Sequence, residues 1–585
     1  MSLRNTDFAF SLFLLIYSLA LATQGLDFGD AGWQLTAYDN IIVFPQGVQY
    51  SFMYYLSVLL GHLWQILLPS GGLYWNRVGM VIFFMSVFLI YRILFKIYYP
   101  RQNWTRSLAL VFLFVYQGAP ESLNYDVFTM FFNSLIILFL YLGLTKRKHY
   151  FLFLSGIIAG LNIFIRIPNL AGVLFFVVIP FYAYMKNWNS RRLIKYFGLT
   201  FIGFITGVSV IILVLVLLNH QQYFIDNLAF LADMSASGNA SHGLAHLIIS
   251  YLKGYTKTII ITGVTLIVVL FIRYLLRRNP HFLETRLYRI ILIFLMIVFG
   301  LVALEIGNPV WSKIRYLFFG LMFLNGIVLL LLRRVAVKTR LLISLGLILL
   351  IISPLGSDSG LEKMGWGSWV LGPMLFLQLR RGHYASIGSG KIRFKGNREL
   401  YKIFTLIFII AVLTYAWNNT YNDPGSRFSK RYSANHPELR GIYTSKERAF
   451  VVDQLLSGMQ PYVKQGDTLL AFIEMPMIHY LTHTRPYLNT SWPKLLYSPG
   501  IFREQLDLSE SKGALPVIVR QKLNMGATNW PYNSIPDYTE YINPSIKYRE
   551  HGLELNEFLK RNNYVHVWGN TAFEILMPGS FLPGL

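Results

Sequence analysis

Residues 48–68 read VQYSFMYYLSVLLGHLWQILL, and whether this stretch crosses a membrane fixes the topology of everything after it. It is about as long as a membrane helix needs to be, since roughly 20 apolar residues span the hydrocarbon layer. Gln49, Ser51, Ser57, His62 and Gln65 interrupt it, however. If it is counted as a span, Lys146, Arg147 and Lys148 land on the opposite side from Arg4, against the rule that Lys and Arg collect in cytoplasmic loops. Treating it as one or two helices lying in the outer interface removes the conflict. Arg4, then Lys96, Arg101 and Arg106, then Lys146 to Lys148, then Lys186, Arg191, Arg192 and Lys195 now share a face. Arg273 to Arg289, Arg333 to Arg340 and Arg380 to Lys402 join them. That face is expected to be cytoplasmic and to carry the N-terminus.

The composition agrees with a lipid-facing chain: 54% hydrophobic, 16% aromatic and only 14% charged residues, with a mean hydropathy of +0.46. Apolar runs recur at Phe8 to Ala22, Val78 to Tyr91, Phe151 to Phe164, Phe197 to Leu218, Ile259 to Phe271 and Phe404 to Leu413. They predict a polytopic α-helical membrane protein of about 13 transmembrane helices, with outer-surface juxtamembrane helices. Phe8 to Ala22 is not read as a cleavable signal, because it leads straight into an acidic loop and further spans. A net charge of +24 would suggest nucleic acid in a soluble protein, but here the basic residues sit in short patches between apolar runs and set topology. The absence of cysteine excludes disulfides, thiolate metal sites and cysteine nucleophiles.

Carboxylates follow the opposite pattern. Before residue 417, Asp7, Glu284 and Glu399 are predicted inside, whereas Asp27, Asp30, Asp39, Glu121, Asp126, Asp226, Asp233, Glu305, Asp358 and Glu362 are predicted outside. This asymmetry points to chemistry on the outer face. At Asn418 to Tyr432 the sequence turns polar and turn-rich, and half of the 28 acidic residues lie beyond it. The expected division is therefore a membrane domain over residues 1–416 and an exported α/β domain over 417–585. In the latter, Ser445 to Met459 and Pro476 to Leu481 read as helices, and Thr468 to Ile473, Pro516 to Val519 and Tyr564 to Val567 as strands. No internal repeat is visible, which argues against a secondary transporter.

The first outer loop, LDFGDAGWQLTAYDNIIVFPQG (residues 26–47), holds Asp27 and Asp30 with no basic residue among them. A helix beginning at Ala31 would make Asp30 its N-cap. The functional alternative is a general base at the mouth of a cavity. Spacing alone leaves both readings open.

An acidic residue soon after the first span, an amphipathic stretch along the outer surface, about a dozen further spans and an exported C-terminal domain resemble the C-type glycosyltransferase superfamily. Within it the arrangement is most similar to the branch of protein O-mannosyltransferases and lipid A aminoarabinose transferases. Members of that branch open a helix in the first outer loop with Asp-Glu or a single Asp; GDAGWQLTAYDNI matches at Asp30, while Ala31 stands where many members have Glu. The resemblance implies a polyprenyl-phosphate sugar donor, an acceptor reaching the outer face, and Asp30 as the base. It also marks Asp126, in APESLNYDVFTMFF, as the second catalytic candidate, with a helix cap as its plain reading. Asp27 is the third.

A leaving phosphate needs cations. Arg166 in IFIRIPNL is costly in hydrocarbon, and Pro168 breaks the helix beside it, so it is the first choice. Lys313 and Arg315 in GNPVWSKIRY follow, with interfacial anchoring or pairing to Glu305 as alternatives. The loop from Asn219 to Tyr255 suits a mobile lid. His242 and His246 have the i, i+4 spacing of metal ligands but no matched carboxylate, so no metal site is assigned, and a divalent metal stays an open cofactor question. SIGSGKIRF around Lys391 lacks the glycine, Ser/Thr and preceding strand of a phosphate loop. Asn239, Asn418 and Asn489 begin glycosylation sequons.

These readings converge on an inverting transferase, without nucleic-acid partners, placed in a bacterial inner membrane with its C-terminal domain periplasmic. Its acceptor is a glycan, lipid or protein. A transporter or flippase of an anionic lipid or glycan is the alternative, in which the carboxylates would couple ions. A surface-polysaccharide polymerase or ligase would be expected to place its catalytic residues in a larger late loop.

Overall fold

The computed structural model describes residues 3–99, 104–119, 121–236, 243–278, 286–305, 307–332, 335–357, 359–381, 384–387, 390–393, 398–513, 515–522 and 549–581. His242, Asn239, Glu284 and Asp358 lie outside them.

Helices dominate up to residue 418. In chain order they are α1 (Leu3–Leu21), α2 (Asp30–Val43), α3 (Tyr55–Leu67), α4 (Gly72–Tyr98), α5 (Thr105–Gln117), α6 (Tyr125–Lys146), α7 (His149–Ile165) and α8 (Val178–Met185). Then come α9 (Ser190–Leu217), α10 (Gln221–Ala236), α11 (Leu244–Arg278), α12 (Arg286–Glu305), α13 (Gly307–Leu331), α14 (Val337–Ile352), α15 (Ser368–Arg381) and α16 (Arg398–Asn418). Among the described residues, seven helices are long and apolar enough to cross a membrane, and four shorter apolar helices accompany them. The expected helical membrane architecture is thus present. Residues 48–68 are not among these spans: a 3-10 helix (Pro45–Tyr54) kinks into α3, whose 13 residues rise only about 20 Å. Ser57, Gly61 and Gln65 are buried on one face of α3, while Leu63, Ile66 and Leu67 stay exposed on the other, the division an interfacial helix requires.

Close helix contact relies on small residues. α7 and α9 meet through Gly156 and Gly160 on one side and Gly203 and Gly207 on the other; a Cβ on Gly156 would lie 2.0 Å from the Thr200 carbonyl oxygen. Such small-xxx-small surfaces let backbones approach where lipid supplies no hydrophobic drive. The 3-10 helix Ile167–Val177 follows α7 directly, as Pro168 demands.

Around Lys391 the sequence reading needs correction. A strand does precede it: β1 (Tyr384–Ile387) pairs antiparallel with β2 (Gly390–Arg393). Lys391 therefore sits in the second arm of a hairpin, whereas a phosphate loop needs a glycine-rich turn leading into a helix.

Beyond α16 lies a five-stranded sheet of order β4-β3-β5-β7-β6, formed by β3 (Thr468–Phe472), β4 (Arg485–Pro486), β5 (Val517–Gln521), β6 (Tyr564–Gly569) and β7 (Phe573–Pro578). β3 runs parallel to β4 and β5, and the β5–β7 and β7–β6 pairs are antiparallel. Helices α17 (Lys446–Met459), α18 (Met477–Thr482), α19 (Pro499–Glu510) and α20 (Arg549–Arg561) accompany it. Ser445 caps α17 and Ser498 caps α19 by accepting backbone N–H groups. The sequence reading anticipated α17, α18, β3, β5 and β6; α19, α20, β4 and β7 it missed.

The sheet does not stand apart. One hydrophobic cluster joins Leu26, Phe28, Leu35 and Tyr38 of the first loop and α2 to Met475, Met477 and Ile478. α18 lies so close on α2 that a Cβ at Gly32 would come within 2.2 Å of the Met477 nitrogen. Phe28 accepts the Met477 N–H at 3.1 Å, and Thr36 donates to the Pro476 carbonyl at 3.0 Å.

Candidate active site

The site is built on the start of α2. Asp30 is the first helical residue and Gly29 holds the N-cap position without offering a side chain. Asp27 supplies the cap instead: its two oxygens accept the N–H groups of Gly29 and Ala31, each at 2.8 Å. The capping role considered for Asp30 therefore belongs to Asp27.

Asp30 turns toward the segment after α16. Its Oδ2 accepts the Tyr421 hydroxyl at 2.6 Å and the Asn422 amide at 3.5 Å, and the same amide donates to Asp27 Oδ1 at 3.0 Å. Among the described ion pairs none involves Asp27 or Asp30. The carboxyl of Asp27 is pushed up to about 7, first by burial and then by the charge of Asp30. Hydrogen bonds from Ala31, Asn422 and Gly29 pull the other way and are outweighed.

The neighbouring acids are all neutralised by cations. Glu121 accepts Arg427 at 2.6 Å and lies 3.9 Å from Arg77. Arg77 is fully buried and donates to the carbonyls of Ala22, Gln24 and Gly25, at 3.0, 2.9 and 2.7 Å. It thereby fixes the exit of α1, where Gly25 takes a φ of +93° that only glycine adopts freely. Asp423 pairs with Lys430 at 2.9 Å and Arg448 at 3.4 Å, and accepts the Leu26 N–H at 2.8 Å. Burial raises its carboxyl, but Arg448, Lys430 and hydrogen bonds outweigh burial and hold it below the usual carboxylate range.

Asp126 belongs to this paired class. Asn124 caps α6 by accepting the N–H groups of Asp126 and Val127, so Asp126 is not the cap either. Its oxygens take Lys363 at 3.0 Å and Arg166 at 3.7 Å. Arg166 is buried, with its guanidinium 5.7 Å from the centre of the Tyr125 ring. Tyr125 stacks on Tyr54 at 4.0 Å. The Tyr54 phenol is pushed up to about 12, chiefly by burial, with Arg166 lowering it and Asp126 and Asp30 raising it. One ring thus lies within electrostatic reach of Asp30, Asp126 and Arg166 together.

Arg315 pairs with Glu362 at 2.8 Å, not with Glu305 as its sequence neighbourhood suggested. Glu362 stands beside Lys363 in the 3-10 helix Gly360–Gly367, so Arg315 and Asp126 are held by adjacent residues of one turn. Lys313 is exposed, and no described contact brings it to Asp30 or Arg166. An aromatic wall completes the site: Trp33 packs on Tyr54, Tyr50 and Trp492 at ring distances of 5.5, 6.3 and 6.3 Å. Phe230 of α10, at the N-terminal flank of the expected lid, lies 5.2 Å from Tyr50. Among the described residues no group of three or more His, Asp or Glu side chains could hold a metal ion.

Arg77, Lys363, Tyr421 and Arg427 escaped the sequence reading. Arg77 alone gave a signal there, as an arginine just ahead of the apolar run at Val78, the feature that singled out Arg166.

Solved structures that resemble the chain include two membrane proteins. The oligosaccharyltransferase of Archaeoglobus fulgidus, in complex with Zn and sulfate, aligns over 90% of this chain and 68% of its own, with a TM-score of 0.45 and 12% identity. ArnT from Cupriavidus metallidurans, in the apo state, aligns over 98% of both chains, with a TM-score of 0.39 and 10% identity. No family model and no curated protein matches the sequence.

Proposed function

We propose that the chain is a membrane glycosyltransferase of the C type, which moves a sugar from a polyprenyl-phosphate carrier to a hydroxyl of its acceptor with inversion. The observation that carries this reading is the charge environment of Asp30. It is a carboxylate at a helix N-terminus, held among the described residues by the neutral donors Tyr421 and Asn422 alone, in a neighbourhood where Glu121, Asp126 and Asp423 all have cations. Such a carboxylate keeps a lone pair for a proton that a paired one has already given up to its cation.

In the proposed step the acceptor O–H gives its proton to Asp30 while its oxygen bonds to the anomeric carbon. The bond from that carbon to the carrier phosphate breaks on the opposite face, and the phosphate leaves with the electron pair. Single displacement from behind inverts the centre. Arg166 and Lys363, aligned by Asp126, supply positive charge where the leaving phosphate gains its negative charge. Asp27 caps α2 and keeps Asp30 at its first turn. The N-terminus is assigned to the cytoplasm and residues 417–585 to the exported side of a bacterial inner membrane, following the basic loops.

Asp30→Asn tests the reading. Transfer of labelled sugar from a polyprenyl-phosphate donor, in nanodiscs, is expected to fall a hundredfold or more with the melting temperature unchanged. Full activity in this variant would overturn the assignment and pass the base to Asp27. Reporter fusions after Leu68 and after Lys148 test the orientation, with the first expected outside and the second inside.

A further inference from the structure

A cavity of about 430 Å³ opens at the far end of α2, between α3 and the turn that follows α18. Asp39 lies nine residues beyond Asp30 on the same helix, about 13 Å along its axis, so an occupant here is not the reacting sugar. Both acids and bases line the cavity. His483 sits between two carboxylates, with Nδ1 3.6 Å from Asp39 and Nε2 3.7 Å from Glu438. Tyr480 donates its hydroxyl to the other oxygen of Glu438 at 2.6 Å. Arg485 holds its guanidinium 5.5 Å from the centre of the Phe44 ring.

Gln65 supplies an independent sign of a missing ligand. It lines the cavity and is only 8% exposed, yet among the described residues its side-chain Nε2 has no hydrogen-bond partner. A buried N–H group left unmatched costs about 1–3 kcal/mol, and an oxygen entering the cavity would recover that. An apolar ledge continues from the cavity wall: Val43 and Leu67 are each 70% exposed, and Ile66 and Leu68 are exposed as well. The ledge is the outer face of the interfacial segment, at the depth where headgroups meet acyl chains.

We propose that this cavity is a binding site for a phospholipid whose phosphate carries a primary ammonium. The ammonium would sit against Asp39 and Glu438, the phosphate would accept from Gln65 and Arg485, and the acyl chains would lie over Val43, Ile66 and Leu67. With His483 protonated, the two carboxylates, Arg485 and His483 cancel in charge, which matches a headgroup of zero net charge. The lipid would bind at the seam where the sheet-bearing region meets α2 and α3, so it would stabilise that docking.

The test uses the full chain in detergent, with native mass spectrometry reading retention of phosphatidylethanolamine, phosphatidylglycerol and phosphatidylcholine of one acyl composition. Phosphatidylethanolamine is expected to be retained roughly tenfold over the other two, the worth of one charge-assisted hydrogen bond. Phosphatidylglycerol lacks the ammonium, and the quaternary ammonium of phosphatidylcholine has no N–H to donate. Asp39→Asn with Glu438→Gln should erase the preference, and Asp39→Glu should keep it. Gln65→Leu should weaken retention of phosphatidylethanolamine and phosphatidylglycerol alike, and this single variant decides the matter should the double variant fail to fold. Equal retention of the three lipids by the parent protein, an undiminished preference in the double variant, or undiminished retention of phosphatidylethanolamine by the Gln65 variant, would overturn the proposal.

Discussion

The carboxylates of the loops that precede α2 and α6 look alike in sequence and differ in company. Asp30 and Asp126 each stand in the first turn of a helix that begins just after a loop, and each has a plain reading as a cap. In both loops the cap turns out to be an earlier residue, Asp27 in one and Asn124 in the other. The pairs then diverge. Glu121 and Asp126 each form ion pairs with two cations, while among the described residues Asp27 and Asp30 form none and take their side-chain hydrogen bonds from neutral donors. A paired carboxylate positions its cations, whereas an unpaired one keeps its basicity; position along the chain does not separate these roles.

The contrast breaks hardest at Asp126. Asp126→Asn leaves buried Arg166 uncompensated, which typically costs 3–5 kcal/mol, so a large drop in the midpoint of thermal unfolding is expected. If this variant keeps its melting temperature and loses transfer as completely as Asp30→Asn, the two loops do the same job and the distinction fails.

The pH dependence of stability sharpens the comparison. The folded carboxyl of Asp27 is raised to about 7 from 3.8, so between those values the folded state holds a proton that the unfolded chain has released. From this group, stability falls as pH rises through that window. Asp423 acts in the opposite sense, because its folded value is lowered: its contribution is present above the unfolded value and is lost as acid protonates it. Denaturant titrations across pH should show the slope between about pH 4 and 7 flattened in Asp27→Asn.

A smaller effect is expected from Tyr421→Phe. It deletes one hydrogen bond to Asp30 and leaves the carboxylate in place, so transfer should change by roughly tenfold or less, the scale of a single bond to a charged group. A loss as deep as that of Asp30→Asn would move the proton chemistry onto the phenol. Smallest of all is His483→Gln. The imidazole is raised above 6.5 by Asp39, with Glu438 adding to it and burial opposing. Its stabilisation is present below the unfolded value and fades as pH rises through the raised folded one, so parent and variant should differ in unfolding midpoint only on the acid side.

What the sequence showed was local. The broken character of residues 48–68 follows from Gln49, Ser57 and Gln65 alone, and the helix break after Ile165 follows from Pro168; the structure has both. The partners of the carboxylates were not legible, because pairing is a property of the fold. Arg427 reaches Glu121 across 306 residues and Lys363 reaches Asp126 across 237. The stretch from Asn418 to Tyr432 was the most misleading. Its turn-rich polarity reads as a domain boundary, and Tyr421, Asn422, Asp423, Arg427 and Lys430 wall the site. Lys313 and Arg315 show the converse: two residues apart on α13, they share a sequence context and not an environment.

The hydrogen bond from Tyr421 to Asp30 closes a loop of 391 residues, and Met477 must then arrive before α18 can seat on Gly32. At ribosomal speeds of about 5–20 residues per second, some 20–80 s pass between synthesis of Asp30 and synthesis of Tyr421. For that interval the first outer loop is in the membrane without its wall. A chain that stalls at Asn418 would hold every spanning helix and no finished site, so the last third of the message, and not membrane insertion, marks the moment this protein comes into being.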